Sequence, residues 1–285
     1  MLLWGNFALQ LSIIMFEKLS DCISYYQQYH LTKHKYDNRK KALAYFDDIP
    51  LQDIRKHHIK RYHALRSQVV SNATINREIS FARASINCVN RDYELTLYNA
   101  FTDIKFFESD VIPCYLTIDE VNRLLEMAKT INDTHLHDFL ALLVYTGARP
   151  IELLTLTWEN VYLDRRFYVV RNCWSKNKRT MYKYLNDVAL DILGNRQRIG
   201  EYVFTNPATG ERYYDFKNQF KTCKKLAKVN CRMYDLRHTY ASWLVQKGVP
   251  IYTVKDLLGH RDISSTERYA HLDYATYIEA LNKII

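Results

Sequence analysis

No C-x-x-C pair and no Cys/His ligand spacing occurs among the six cysteines, Cys22, Cys88, Cys114, Cys173, Cys223 and Cys231. Their scatter argues against a metal-built or disulfide-built fold, and reduced thiols in a cytosolic protein account for them. Long apolar runs are also lacking. Met1 to Phe16 is apolar, but it contains Asn6 and Gln10 and has no Lys or Arg ahead of it. It falls short of the roughly 20 residues that span a bilayer, and it lacks the basic start and small-residue cleavage site of a secretory signal. Residues 1–15 are therefore read either as a short accessory helix or as a misassigned start, with Met15 the true one. No internal repeat and no low-complexity tract breaks the chain.

What is present is enough to fold. The chain has 285 residues, of which 48% are hydrophobic, so one large domain or two modest ones can bury a core. Lys and Arg number 40 against 31 Asp and Glu, a formal charge of +9. That balance favours a polyanionic partner such as DNA, RNA or an acidic membrane, though a basic protein without one stays open on charge alone.

Two parts are predicted. From Phe16 to about Phe107 the pattern is helical and basic. Ile75, Ile79, Ala82, Ile86 and Val89 recur at helical spacing behind Thr74 as N-cap, and Leu43 to Phe46 and Ile54 to Leu65 belong to further helices. Asp103 to Pro113 breaks the pattern and reads as a linker, so the divisions are 1–15, 16–107 and 108–285.

In the second part Thr117-Ile118-Asp119-Glu120 fits a capping box before an apolar face of Val121, Leu124, Leu125 and Ala128. Leu136, Phe139, Leu140, Leu143 and Val144 form another helix, ended by Gly147, and Pro150 suits the first turn of the next. Phe167 to Cys173 and Arg179 to Tyr184 read as a hairpin with Ser175-Lys176-Asn177-Lys178 at its tip. A helix through Phe216, Phe220, Cys223 and Ala227 carries Lys217, Lys221, Lys224, Lys225 and Lys228 on its polar side. The expected class is mainly α with a small antiparallel sheet.

Four segments offer a cation or a nucleophile: the stretch around Arg149, then Lys176, then Arg237-His238, then His260 followed by Tyr269. Two arginines, a lysine, a histidine and a tyrosine suit the binding of a phosphodiester and transfer of its phosphorus to a side chain. Guanidinium forks hold two phosphate oxygens at once and stay charged at any useful pH.

From about Phe16 to the C-terminus the chain resembles a tyrosine recombinase of the phage integrase type. The boxes that carry the likeness are Gly147-Ala148-Arg149-Pro150-Ile151-Glu152-Leu153, Asp235-Leu236-Arg237-His238-Thr239-Tyr240-Ala241-Ser242, and Leu257-Leu258-Gly259-His260 with Tyr269 nine residues on. The resemblance implies a helical core-binding domain and a catalytic domain clamping double-stranded DNA. It implies that Tyr269 attacks a backbone phosphate to give a 3′-phosphotyrosyl link. Arg149 and Arg237 would hold the non-bridging oxygens, Lys176 would protonate the leaving 5′-oxygen, and His260 would donate a further hydrogen bond. Glu152 and His238 would support the site, His238 by packing or capping, and Lys178 is the rival of Lys176. The lysines from Lys217 to Lys228 are candidate DNA contacts. Neither metal nor cofactor is expected, because arginines supply the electrostatic clamp and the covalent link conserves the bond energy. A homotetramer exchanging the segment Asp273 to Ile285, a cytoplasmic, nucleoid-associated location and no membrane contact complete the expectation. The arm-binding module of many integrases is not expected before Phe16.

One position departs from the pattern. Three residues before the second arginine, where the family has a histidine, stands Tyr234. A phenol donates a hydrogen bond well but accepts a proton poorly near pH 7. The readings carried forward are a recombinase that integrates or excises a mobile element, a weak or inactive DNA-binding relative, and a type IB topoisomerase-like relaxing enzyme. Single residues keep their ordinary readings beside these. Tyrosine is abundant, with 23 in the chain, and the histidines His57, His58 and His63, in a basic stretch, suit a solvated or DNA-facing helix better than a metal.

Overall fold

The computed structural model describes residues 16–30, 38–104, 107, 114–131, 134–171 and 180–283. The chain divides into two compact units, residues 1–111 and 112–285.

The first unit is helical: α1 (Leu19–His30), α2 (Asn38–Leu43), α3 (Lys56–Arg66) and α4 (Asn72–Asp92). Ile75, Ile79, Ala82, Ile86 and Val89 are buried along one stripe of α4, as their 3.6-residue spacing requires, and Leu19, Cys22 and Ile23 of α1 belong to the same core. The start of α4 differs from the sequence reading. Ser71 holds the extended N-cap position, and Thr74 lies within the first turn with its hydroxyl 3.3 Å from that of Ser71. The stretch from Leu43 ends α2 and passes into a 3-10 turn over Ala44–Phe46. Buried Glu78 ties α3 to α4, accepting from the Tyr62 hydroxyl at 2.7 Å and from Arg66 at 2.8 Å.

The second unit comprises α5 (Ile118–Thr130), α6 (Thr134–Thr146), α7 (Pro150–Leu154), β1 (Val161–Tyr162), β2 (Phe167–Val170), β3 (Met181–Tyr184), α8 (Asp187–Asn195), α9 (Lys217–Leu226), α10 (Asp235–Gln246), α11 (Ile251–Leu258), α12 (Ser264–Glu267) and α13 (Tyr274–Asn282). The Thr117 capping box forms as read, with Glu120 N donating to Thr117 Oγ1 at 3.2 Å and Thr117 N to the Glu120 carboxylate at 2.9 Å. α6 is the central helix. Phe139 to Val144 are all buried, and α5, α8 and α10 pack around it.

The strands form one antiparallel sheet in the order β1-β2-β3, with Phe167 opposite Tyr184 and Val170 opposite Met181. Side chains alternate across it, so Tyr168, Val170 and Lys183 are buried while Tyr182 and Tyr184 are exposed. β2 and β3 fall within the two β-prone runs, whose facing ends lie outside the described residues, and β1 and α8 have no counterpart in the sequence reading. The hairpin tip, with Lys176 and Lys178, lies outside the described residues.

Candidate active site

The first box is a helix end turned into a helix start. α6 ends at Gly147, whose φ of +61° only glycine adopts without strain. A Cβ there would also lie 2.3 Å from the Tyr240 ring of α10. The chain then reverses into α7 with Arg149 as its extended N-cap and Pro150 in the first turn. Glu152, fully buried, accepts from the Arg149 backbone N–H at 2.9 Å and from its guanidinium at 2.5 Å. One carboxylate therefore caps the helix and orients the guanidinium, which keeps its remaining N–H groups for another acceptor.

Arg237 sits on the first turn of α10 and is 1% exposed. It donates to the carbonyl oxygens of Gly147 at 2.5 Å and Leu258 at 2.7 Å. These two bonds draw together the ends of α6 and α11, segments far apart in sequence. Burial and then neighbouring Arg149 pull its pKa below the usual arginine range, whereas Tyr234, Glu152 and Tyr269 oppose the shift. Two guanidinium groups repelling each other in a desolvated place make a strong anion site, since an arriving anion relieves both costs.

α11 ends in a glycine cap, with Gly259 at φ +69°. His260 follows, half-buried, with Nδ1 2.8 Å from the Thr266 hydroxyl. Burial, then Arg237, Arg149 and Lys183, hold its pKa down at about 3, so the ring is neutral near pH 7. Nδ1 accepts from Thr266 in the tautomer that leaves Nε2–H free to donate.

Tyr269 follows α12 and is 2% exposed. Its hydroxyl is hydrogen-bonded to Nδ1 of His238, a direct contact across 31 residues. Burial pushes the phenol up to about 12, against the opposing pull of Arg268 and Arg237. His238 is likewise held down at about 4, chiefly by burial, so its neutral ring has a lone pair for the phenol. Tyr234 packs edge-on to the His238 ring at 5.3 Å between centroids and is 41% exposed.

Of the residues singled out from sequence, Arg149, Glu152, Arg237, His238, His260 and Tyr269 belong to one unit and are linked as described; Lys176 and Lys178 are not described. Lys221 and Lys225 on α9 and Lys228 just beyond it are exposed, Lys217 pairs with Asp215 at 3.0 Å, and Lys224 donates to the Cys231 carbonyl at 2.9 Å. Lys224 is thus partly committed to its own fold. Two features escaped the sequence reading. His238 bonds the Tyr269 hydroxyl rather than only packing or capping; its spacing from Tyr269 gave no hint of this, because the turn between them is set by tertiary folding. Lys183 is buried beside the arginines, and its signal was the strand alternation that turns it inward with Met181.

In the first unit, His30 Nε2 lies 2.7 Å from the Asp92 carboxylate and the Cys88 thiol 3.3 Å from it. Among the described residues this is the grouping with donors suited to a divalent ion. Asp92 also accepts from Arg91 at 2.9 Å and Tyr25 at 3.3 Å, so its oxygens are already occupied by a hydrogen-bonded network. The described cysteines Cys22, Cys88, Cys114, Cys223 and Cys231 form no disulfide with one another. No described helix is long and apolar enough to cross a membrane.

Two guanidiniums, two neutral histidines and a buried tyrosine, held in one mostly helical unit with a three-stranded sheet, are of the class suited to phosphodiester exchange. Residues 114–276 match the phage integrase family, and the chain belongs to that family, the tyrosine recombinases. It is 27% identical to a tyrosine recombinase of Pseudothermotoga lettingae over 84% of this chain and 85% of that one. It is 30% identical to the tyrosine recombinase XerA of Thermococcus kodakarensis, over 76% and 77% of the two chains. A 32% identical match to the integrase of Salmonella phage P22 covers 45% of this chain and 36% of that protein. In fold it is similar to the Tn1549 transposon integrase in complex with transposon right end DNA, with a TM-score of 0.74, 17% identity, and 94% and 99% of the chains covered.

Proposed function

We propose that the chain cuts and rejoins duplex DNA at specific sites, with Tyr269 as nucleophile and Arg149, Arg237 and His260 gripping the scissile phosphate. The observation that carries this is Arg237, buried in the fold and bonded to the carbonyls of both Gly147 and Leu258, so that the first and third boxes meet at one guanidinium. Such a centre holds the non-bridging oxygens and stabilises the charge that builds on the pentavalent phosphorus. Attack by the Tyr269 oxygen forms the 3′-phosphotyrosyl bond and releases the 5′-oxygen, which takes a proton from Lys176. The reverse attack by a 5′-hydroxyl restores the diester without ATP.

His238 accepts the hydrogen bond of the Tyr269 hydroxyl and receives its proton, the part left open where Tyr234 replaces the usual histidine. The reaction serves integration or excision of a mobile element, and the basic side chains of α9 add contacts to phosphates. Assembly runs through α13. Tyr274, Tyr277, Ile278 and Leu281 are exposed on this terminal helix, at spacings that form one apolar stripe, and the stripe suits exchange between subunits of a tetramer.

The test is a pool of nicked duplexes with randomised sequence, in which loss of a short strand traps the covalent intermediate. A protein–DNA adduct that survives denaturation forms with the natural chain and is lost in Tyr269→Phe. An adduct that persists in Tyr269→Phe places the nucleophile elsewhere. DNA binding without any adduct favours the non-catalytic relative, and relaxation of a supercoiled plasmid lacking any recombination site favours the topoisomerase-like reading.

A further inference from the structure

The end of α11 poses an accounting problem whose solution involves a residue outside the three boxes. A helix leaves its last four carbonyl oxygens without intrahelical partners. Here these belong to Lys255, Asp256, Leu257 and Leu258. The backbone N–H of His260 donates to Lys255 at 3.0 Å and that of Gly259 to Asp256 at 3.0 Å. Leu257 and Leu258 remain, and they are served by side chains. Lys183 Nζ donates to Leu257 at 2.7 Å and to Leu258 at 3.0 Å, and Arg237 donates to Leu258 as well.

Lys183 comes from β3 and is 1% exposed. An isolated buried lysine is costly, and burial followed by Arg237 drives its pKa well below the usual lysine range, with Arg149 adding to the effect and Glu152 opposing it. An apolar side chain would satisfy the inward face of a strand at less cost. The strand meets the same turn a second time: a Cβ on Gly259 would lie 2.4 Å from the Met181 sulfur. β3 is thus the bed on which the turn carrying His260 rests, and Lys183 is its polar anchor.

We infer that Lys183 is a positioning residue for strand transfer, holding the Leu257–Leu258 carbonyls so that His260 and the guanidinium of Arg237 are both fixed toward the phosphate. It is distinct from Lys176, seven residues earlier in sequence, to which the proposed reaction assigns the leaving-group proton. The inference rests on the reading of the reaction given above, but one of its tests does not. Lys183 does not touch the phosphate; it acts through the turn.

Lys183→Met removes the donors at similar length, and Lys183→Gln keeps an N–H donor. Under conditions where circular dichroism shows each variant folded, single-turnover cleavage of nicked duplex is slowed about tenfold to a hundredfold in Met and less in Gln, with DNA affinity unchanged. Combined with His260→Ala, the Met substitution costs little more than His260→Ala alone, because both disable the same turn. In the DNA-free protein, the NMR signals of the His260 ring shift on Lys183→Met. That readout needs no reaction, so a failure of the recombinase reading and a failure of this one are told apart. Wild-type cleavage by Lys183→Met, full additivity with His260→Ala, or an unmoved His260 ring would each overturn the inference. If the Met variant does not fold, Lys183→Leu, which also lacks a donor, carries the same three measurements.

Discussion

Two histidines of the candidate site, His238 and His260, are neutral near pH 7, and burial is the main cause. His260 offers a donor toward the anion, whereas His238 offers an acceptor to the Tyr269 hydroxyl. In the proposed reaction a phenol held at about 12 cannot attack unaided, so the hydrogen bond to His238 would bear on the rate. His238→Ala is expected to slow single-turnover cleavage about a hundredfold, within the span of general acid–base effects. Tyr234→His in that background is expected to recover part of the loss, since it returns a basic ring edge-on to the same place. Quench-flow measurement of adduct formation checks both. Recovery by Tyr234→Phe as well would show that ring packing, and not proton acceptance, is responsible.

Elements bring these residues together through their ends rather than their faces. The α6 terminus, the α7 start and the α11 terminus all converge on Arg237, and two positive-φ glycines make the turns possible. Gly147→Ala places a methyl group against Tyr240 in a left-handed backbone, and it should destabilise the protein by about 2–4 kcal/mol in urea unfolding. Tyr240→Leu in the same chain should return part of that.

This scale also shows what could be read in advance. The Thr117–Glu120 box, the Gly147 cap and Pro150 in the first turn are local chemistry, and they stand where the sequence puts them. Box residues at fixed spacing made the arginines, His260 and Tyr269 legible through resemblance. The two-residue strand β1 carries too little pattern to be seen, and the start of α4 slipped because both Ser71 and Thr74 are good caps. Lys183 and the His238–Tyr269 contact depend on which surfaces meet, and that information is distributed over the whole second unit.

At the scale of the whole molecule, the basic charge and the uncovered stripe of α13 act together. Charge favours DNA as partner, and the exposed stripe suits the subunit exchange proposed above. Ile278→Asp combined with Leu281→Asp should leave binding of a single chain to DNA intact while raising the protein concentration needed for tetramers by about a hundredfold or more. Mass photometry on DNA reads both quantities. Tetramers that persist unchanged would mean that assembly uses another surface.

The burial of Tyr269 has a consequence for the cell. A protein that samples phosphodiesters along an entire chromosome is safe only if mere collision does not sever a strand. If the proposed chemistry holds, a strand meets its attacking oxygen only when a phosphate is seated within the site, because Tyr269 is 2% exposed. Fidelity then depends on how rarely the wrong sequence seats a phosphate there, and not on how seldom the protein meets it.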